Sequence, residues 1–198
     1  KLYGLPNGES ARVVYFNVDK FNEAGLPDPR ELQEKGEWTH EAYFEAALTL
    51  TQGEGAEKVF GTAVNFSDPR ATLTWIHQNG GNYFDEDFTE SIIDQPVAVQ
   101  TVQQMLELIT VHKAAPSAQD REILGGNSQA LASGRLAMFP DCGIWCTNTL
   151  KKITDFEWDA VALPHGAVNQ MSAYSPHGYT LPVATEVPEA AYLFNKFI

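Results

Sequence analysis

The fold of this chain is decided by the stretch Leu131-Ala132-Ser133-Gly134-Arg135-Leu136-Ala137-Met138-Phe139-Pro140-Asp141-Cys142-Gly143-Ile144-Trp145. It predicts the end of a small helix closed by Gly134, a short apolar strand over 135–139, and a turn over 140–143 that presents an aromatic ring. A tryptophan just past a strand end is well placed to face a ligand. It is equally typical of the core at the start of a helix, because large aromatic side chains are mostly buried. Both interpretations of Trp145 stay open at this point.

Strands and helices are predicted on both sides of this stretch. Apolar or alternating runs indicate strands at four places: Val13–Phe16, Val59–Phe66, Trp158–Leu163 and Tyr179–Val183. Helices are predicted after Thr39, after Asp68 and after Pro188, since a capping side chain or a proline opens each of them. Residues 4–8 favour a turn because they contain Gly4, Pro6, Asn7 and Gly8.

Two helices carry more detailed predictions, one of those named above and one further helix. Trp38 and Tyr43 flank the Thr39 cap as a hydrophobic staple. A further helix starts at Pro96, and its buried stripe is predicted from helical spacing to be Val99, Val102, Leu106 and Ile109.

Charge and composition exclude several classes of partner. The formal net charge is −13 and the basic residues are not clustered, which argues against nucleic acid and against anionic membrane surfaces as partners. Hydrophobic residues make up 43% of the 198 positions, enough to bury a core for one domain or one and a part. No apolar run approaches the ~20 residues that a membrane helix needs.

The cysteines and histidines do not indicate a metal site. Cys142 and Cys146 either form a small disulfide or remain two part-buried thiols, and the sequence leaves both alternatives open. The five histidines are scattered without metal-ligand spacing, so we expect no metal and no cofactor.

Several stretches, in order, resemble the extracellular solute-binding proteins of sugar-type ABC importers, the family that includes maltose-binding protein. Four stretches of this chain resemble motifs of that family. Tyr3–Pro27 resembles its Gly-Leu-Pro crossing segment, and Glu37–Thr39 resembles its Trp-Thr helix start. Leu131–Trp145 resembles its Gly-X-Trp turn after an apolar strand, and Phe156–Gly166 resembles its Leu-Pro exit. The resemblance spans nearly the whole chain.

This resemblance implies an α/β fold, a periplasmic-binding-protein-like class II lobe with a mixed sheet flanked by helices. Residues 1–14 would cross from a first lobe, 15–163 would form the second lobe, and 164–198 would make the return crossing and start a truncated helix. We therefore expect a piece of a protein about twice as long. The implied function is to bind a carbohydrate between two lobes and deliver it to the membrane permease of an ABC importer, in the periplasm or outside the cell, with a lipid anchor on the parent protein.

A sugar site needs aromatic plates edged by planar polar groups. Trp145 matches a family position that stacks on bound sugar, and Asp141 before it is a candidate acceptor or a turn residue. Asp68 and Arg70 stand where the family has an acidic-Pro-aromatic contact. Arg70 replaces the aromatic, which suggests an anionic ligand edge. Two residues have two interpretations each. Trp75 either faces the ligand or lies in the core, and Asp68 either contacts the ligand or caps a helix.

Three further candidates come from the crossing segments. Tyr174 and His177 occupy the loop before the second crossing, where the family lines its cleft. Asn7 lies in the first crossing turn, from which a polar side chain can touch ligand.

Two other classes of function remain as alternatives. A glycoside hydrolase would need two carboxylates facing one bond, and no hydrolase elbow or paired Cys–His arrangement is present in the sequence. A sensor or interaction lobe uses the same fold, so the fold alone does not distinguish it from a carbohydrate-binding protein. We predict a binding protein rather than an enzyme.

Overall fold

The structure is a computed structural model that describes the backbone of residues 5–197 and the side chains of 10–197 apart from 141, 175 and 176. Its strands are β1 (Leu5–Ala11), β2 (Val13–Asn17), β3 (Met138–Cys142), β4 (Trp158–Ala162) and β5 (Tyr174–Tyr179). Its α-helices are α1 (Val18–Glu23), α2 (Pro29–Lys35), α3 (His40–Thr49), α4 (Pro69–Gln78), α5 (Pro96–Thr110), α6 (Ala118–Ile123), α7 (Asn127–Ala132), α8 (Thr147–Leu150) and α9 (Pro188–Phe197).

The described chain divides into two compact units. Residues 12–173 form the larger unit, and the described parts of 1–11 and 174–198 form the smaller one. No helix within the described residues is long and apolar enough to cross a membrane.

The larger unit is built around β2, the middle strand of the order β3-β2-β4. Both neighbours are antiparallel to β2, and single parallel bridges such as Phe60–Leu136 extend the pairing. Alternate side chains of β2 enter different clusters: Val14 and Phe16 pack with the larger one, and Tyr15 packs with the smaller one. Because side chains alternate across a strand, β2 is covered on both faces. The predicted α/β lobe, with helices around the sheet, is confirmed.

The predicted helix starts are confirmed by their caps. Thr39 Oγ1 accepts a hydrogen bond from the Ala42 amide at the start of α3, and Asp68 accepts one from the Arg70 amide at the start of α4. The rings of Trp38 and Tyr43 lie 5.8 Å apart, edge to face, across the α3 cap. Local capping chemistry therefore positions both helices.

Two strand predictions near the opening stretch are wrong. Residues 59–66 make single bridges at Val59 and Phe60 rather than a strand. The strand predicted at 135–139 is found at Met138–Cys142, so Pro140 lies within it instead of in a turn. The β2–β3 register shifts between the pairs Tyr15–Phe139 and Val13–Cys142, and an edge strand with such an irregularity tolerates a proline, which lacks the amide proton.

The buried stripe of α5 also differs from its prediction. The buried side chains are Ala98, Thr101, Met105 and Leu108, whereas Val99 and Leu106 are exposed. Thr101 Oγ1 accepts a hydrogen bond from the Asn79 side chain just after α4. The buried face is thus rotated from the predicted stripe, of which Ile109 still packs partly buried against the core.

The smaller unit is an antiparallel ribbon of β1 and β5, followed along the chain by α9. The turn predicted at 4–8 is wrong, because these residues from Leu5 onward belong to β1, with a register shift between Pro6 and Gly8. The run predicted at Tyr179–Val183 is displaced, since the strand is Tyr174–Tyr179. None of the described residues of α9 is buried. The predicted boundaries 1–14, 15–163 and 164–198 stay a prediction.

Candidate functional site

A cavity of about 400 Å³ in the larger unit brings together three of the residues singled out in the sequence, Asp68, Arg70 and Trp145. It lies where the start of β2, the N-terminus of α4, the N-terminus of α7 and the end of β3 meet. Its other lining residues are Arg12, Asn65, Arg121, Asn127, Ser128, Gln129, Phe139, Pro140, Cys142 and Cys146. The candidate site therefore combines an indole with amide, hydroxyl and guanidinium groups.

Trp145 lies in a single 3-10 turn, Ile144–Cys146, directly after β3. Its side chain is 46% exposed and lines the cavity, so the core interpretation of this residue is wrong. Cys142 and Cys146 form a disulfide across the turn, which decides the alternative that the sequence left open.

Asp68 is held from two sides by guanidinium groups. Oδ1 accepts hydrogen bonds from the amide and Nε of Arg70, and Oδ2 accepts from Nη2 of Arg70 at 3.0 Å and from Nη2 of Arg12 at 2.6 Å. These bonds, the Arg70 side chain first, hold the pKa of the Asp68 carboxyl well below its usual range. Each oxygen already accepts two hydrogen bonds, so the carboxylate has little capacity left for a ligand hydroxyl.

Of the two arginines that bind Asp68, Arg70 is the exposed one. Its side chain is 58% exposed at the cavity, whereas Arg12 is only 3% exposed. Asp68 fixes the plane of the Arg70 guanidinium at the mouth of the cavity through two parallel hydrogen bonds. The helix-cap and site interpretations of Asp68 are thus compatible: it caps α4 and orients Arg70.

Arg12 and Arg121 are site residues that sequence reasoning missed. Arg12 stands directly before the apolar strand β2, and a lone charge at that position was the available signal. Arg121, from α6, donates to the carbonyl oxygen of Val64, and its Nε has no hydrogen-bond partner among the described residues. Both arginines line the cavity.

Trp75 is a core residue in this structure, which corrects its assignment to the ligand site. It is 2% exposed, and its ring lies 4.4 Å from that of His40 and 5.2 Å from that of Tyr43. The apolar face of α4 carries it into the larger cluster, so its ring has no free face for a sugar.

The remaining candidates are not brought into the cavity by any described contact. Tyr174 and His177 lie on β5 in the smaller unit, and both are exposed. The backbones of Asn7 and Asp141 belong to β1 and β3, but their side chains lie outside the described residues. These four assignments stay predictions.

A larger cavity of about 820 Å³ contains none of the predicted site residues. It is lined by the end of α5, the start of α6 and the cations Lys58, Lys113 and Arg135. We prefer the smaller cavity as the site because it alone of the two holds an exposed indole. Among the described side chains, no group of three or more histidines, cysteines and carboxylates could hold a metal ion.

Comparison with known proteins decides the family. The family described as bacterial extracellular solute-binding protein matches residues 1–198. The chain belongs to this family. As a member of an extracellular family, it shares that family's location outside the cytoplasm.

Individual relatives of this solute-binding protein are named for sugars. An arabinooligosaccharide-binding protein from Halalkalibacterium halodurans is 29% identical over 115 residues, which are 58% of this chain and 24% of that protein. The substrate-binding protein Lmo0181 from Listeria monocytogenes, solved with cycloalternan, is 28% identical with a TM-score of 0.85 and covers 100% of this chain and 48% of its own.

More distant structures show the same fold. The GacH receptor of Streptomyces glaucescens, studied unliganded and with acarbose, is 21% identical with a TM-score of 0.79, and it matches 100% of this chain and 48% of its own. The chain thus spans about half the length of these solved relatives.

Proposed function

We propose that this chain supplies the ligand-bearing lobe of a carbohydrate receptor that serves an ABC importer, with residues 12–173 as that lobe. The observation that carries the proposal is the exposed indole of Trp145 in one cavity with Arg70 and the side chains of Asn127 and Gln129. The names of the relatives support carbohydrate as the ligand class.

The chemistry of a sugar fits this arrangement. A pyranose or furanose ring presents an apolar C–H face that packs on an indole, and its hydroxyl groups need donors and acceptors at its edge. Arg70 donates, and the amides of Asn65, Asn127 and Gln129 can both donate and accept. The site would therefore hold the sugar by one flat contact and a polar rim.

We expect a neutral carbohydrate, although the described lining of the cavity holds three arginines and one carboxylate: Arg12, Arg70, Arg121 and Asp68. The sequence suggests an anionic ligand edge at Arg70, but Asp68 binds the guanidinium of Arg70 and also neutralises part of the charge of Arg12. The amides of Asn127 and Gln129 at the same cavity suit hydroxyl oxygens. An acidic sugar remains the alternative outcome of the binding assay.

Asp68 suits neither carboxylate role of a glycoside hydrolase. A catalytic acid of that class needs a raised pKa, and a nucleophile needs a free carboxylate oxygen. Asp68 has a lowered pKa, and both of its oxygens already accept hydrogen bonds.

The receptor would instead close two lobes on its ligand and present the closed form to a membrane permease, from a lipid anchor or free in the periplasm.

Fluorescence titration tests this function. The native protein and its Trp145→Ala variant are titrated with arabinotriose, maltotriose, mannobiose and digalacturonate, and the solutions are then analysed for cleavage products. We expect saturable quenching by a neutral sugar that the variant loses, with the sugar recovered intact. Cleaved sugar would indicate the hydrolase, and tight binding of a protein domain without response to any sugar would indicate the sensor lobe.

A further inference from the structure

We propose that the Cys142–Cys146 disulfide and Gly143 act together as a clamp that fixes the ring of Trp145 in its cavity-facing orientation. The inference concerns the five residues Cys142-Gly143-Ile144-Trp145-Cys146, called the Trp145 loop below. That the fixed ring receives a sugar rests on the proposed function; that the ring is fixed does not.

The disulfide closes the Trp145 loop at its two ends. It joins the last residue of β3 to the residue before α8, with Cα atoms 6.3 Å apart, and both cysteines are nearly buried. A bridge across so few residues restricts the unfolded chain less than a bridge across a long loop. Its main effect is therefore local, on the turn that carries Trp145.

Gly143 supplies a surface against which the ring rests. A Cβ atom at this position would lie 2.3 Å from Cζ3 and 2.7 Å from Cη2 of Trp145, so the six-membered ring packs against the glycine backbone. The backbone of Gly143, with φ −92° and ψ −165°, is open to any residue. The ring alone, and not the backbone conformation, requires glycine here.

The backbone of the Trp145 loop is tied to the core on the same side. The hydroxyl of Tyr15 on β2 donates to the carbonyl oxygen of Gly143 at 3.0 Å. Tyr15 is itself buried, and its ring packs 5.5 Å from that of Phe139. Thr147 Oγ1 donates to the carbonyl oxygen of Ile144 at 2.6 Å, which anchors the far side of the turn.

These contacts hold the loop backbone and support one side of the ring, while 46% of the Trp145 side chain remains exposed. An exposed tryptophan on an unrestrained loop would lose rotamer freedom when a ligand packs on it. A ring fixed before binding avoids that loss, which is the general benefit of preorganisation. The clamp is thus a positioning device for the aromatic plate.

Fluorine NMR of the fluorotryptophan-labelled protein tests the clamp without any ligand. Trp145→Ala assigns the resonance. We compare Gly143→Ala, in which a methyl group displaces the ring, and the double variant Cys142→Ser with Cys146→Ser, in which the bridge is absent. Ile144→Ala is the matched control, because it shortens an exposed side chain of the same loop and keeps both the glycine and the disulfide.

We expect the Trp145 resonance to shift or broaden in Gly143→Ala and in the double serine variant, and to stay in place in Ile144→Ala. Circular dichroism and the resonances of Trp38 and Trp75 report whether the fold is retained. An unchanged Trp145 resonance in both clamp variants, with the fold intact, would overturn the proposal.

Titration with arabinotriose and maltotriose then separates the clamp from the receptor function. If either sugar binds the native protein, we expect its dissociation constant to rise roughly two- to tenfold in the clamp variants, the range for freeing one large side chain. If neither sugar binds while the resonance changes as expected, the clamp stands and the choice of carbohydrate ligand fails.

Discussion

Nη2 of Arg12 donates a hydrogen bond of 2.6 Å to Oδ2 of Asp68, joining residues 56 positions apart in the sequence. Arg12 precedes the central strand, and Asp68 caps α4. The pair therefore ties the middle of the sheet to the N-terminus of the helix at the wall of the candidate site. A nearly buried guanidinium depends on such a partner, because an uncompensated charge is costly to bury.

Asp68→Ala tests how much this contact contributes to stability. We expect the free energy of unfolding to fall by about 3 kcal/mol, since the variant removes the carboxylate from a buried arginine and also removes the α4 cap. Urea denaturation followed by circular dichroism measures it. Arg70→Ala is the control, because its side chain is largely exposed and its loss should change the unfolding midpoint far less. Equal losses in the two variants would contradict this account.

His40 predicts a pH dependence of stability. Burial lowers its pKa, although the side-chain bond to Gln78 works in the opposite direction. The unfolded chain therefore binds the proton first, so stability is complete above the unfolded pKa of about 6.5 and decreases as the pH falls below it. We expect the free energy of unfolding to be lower at pH 5.5 than at pH 7.5, measured by urea denaturation.

The variant His40→Gln isolates this effect, because glutamine does not titrate in that range. Its stability should change less than that of the native protein between the same two pH values. If both proteins show the same slope, the pH dependence arises at another group.

Trp75→Ala and Trp145→Ala should differ strongly in their effect on stability. Removing the buried Trp75 ring leaves a cavity beside Tyr43 and is expected to cost about 3–5 kcal/mol of unfolding free energy. Removing Trp145 takes away a half-exposed ring and should leave the thermal midpoint nearly unchanged. Differential scanning calorimetry of the two variants checks this, and a stable Trp75→Ala protein would place that residue outside the core.

Gly61→Ala and Gly143→Ala form a second contrasting pair. A Cβ atom at residue 61 would lie 1.8 Å from the carbonyl oxygen of Ala47, part of the backbone of α3, which cannot move away without displacing the helix. We expect a loss of about 3 kcal/mol or failure to fold for Gly61→Ala. In Gly143→Ala the obstacle is the half-exposed ring of Trp145, which can turn toward solvent without moving the backbone, so the fold should survive. Soluble yield and thermal midpoint distinguish the two, and similar midpoints would show that α3 can adapt.

Local features of the fold follow directly from the sequence. Thr39 and Asp68 cap helices because their side chains reach amides two or three residues away, and Trp38 meets Tyr43 across the same turn. The β-rich run Val13–Phe16 predicts the strand that the structure contains as β2. The role of Trp145 in the site stays a prediction, because its position after an apolar strand fits a ligand-facing and a core residue equally.

Sequence pattern could not choose between two apolar faces of one helix. Both Val99 and Ala98 lie on stripes with helical spacing in α5, and the stripe that contains Ala98, Met105 and Leu108 is the buried one. Trp75 presented the same ambiguity on α4. Only the packing of distant elements decides which side of a helix becomes core.

What the sequence determined by itself was the α/β lobe and its helix caps, because each depends on residues a few positions apart. Only the tertiary structure decided that Asp68 forms ion pairs with both Arg12 and Arg70 and that Trp75 lies in the core. It also decided that a disulfide and Gly143 support Trp145. The physical reason is that hydrogen bonds, burial and steric contact between distant segments depend on distances of a few ångströms, which the chain sets only when it is folded.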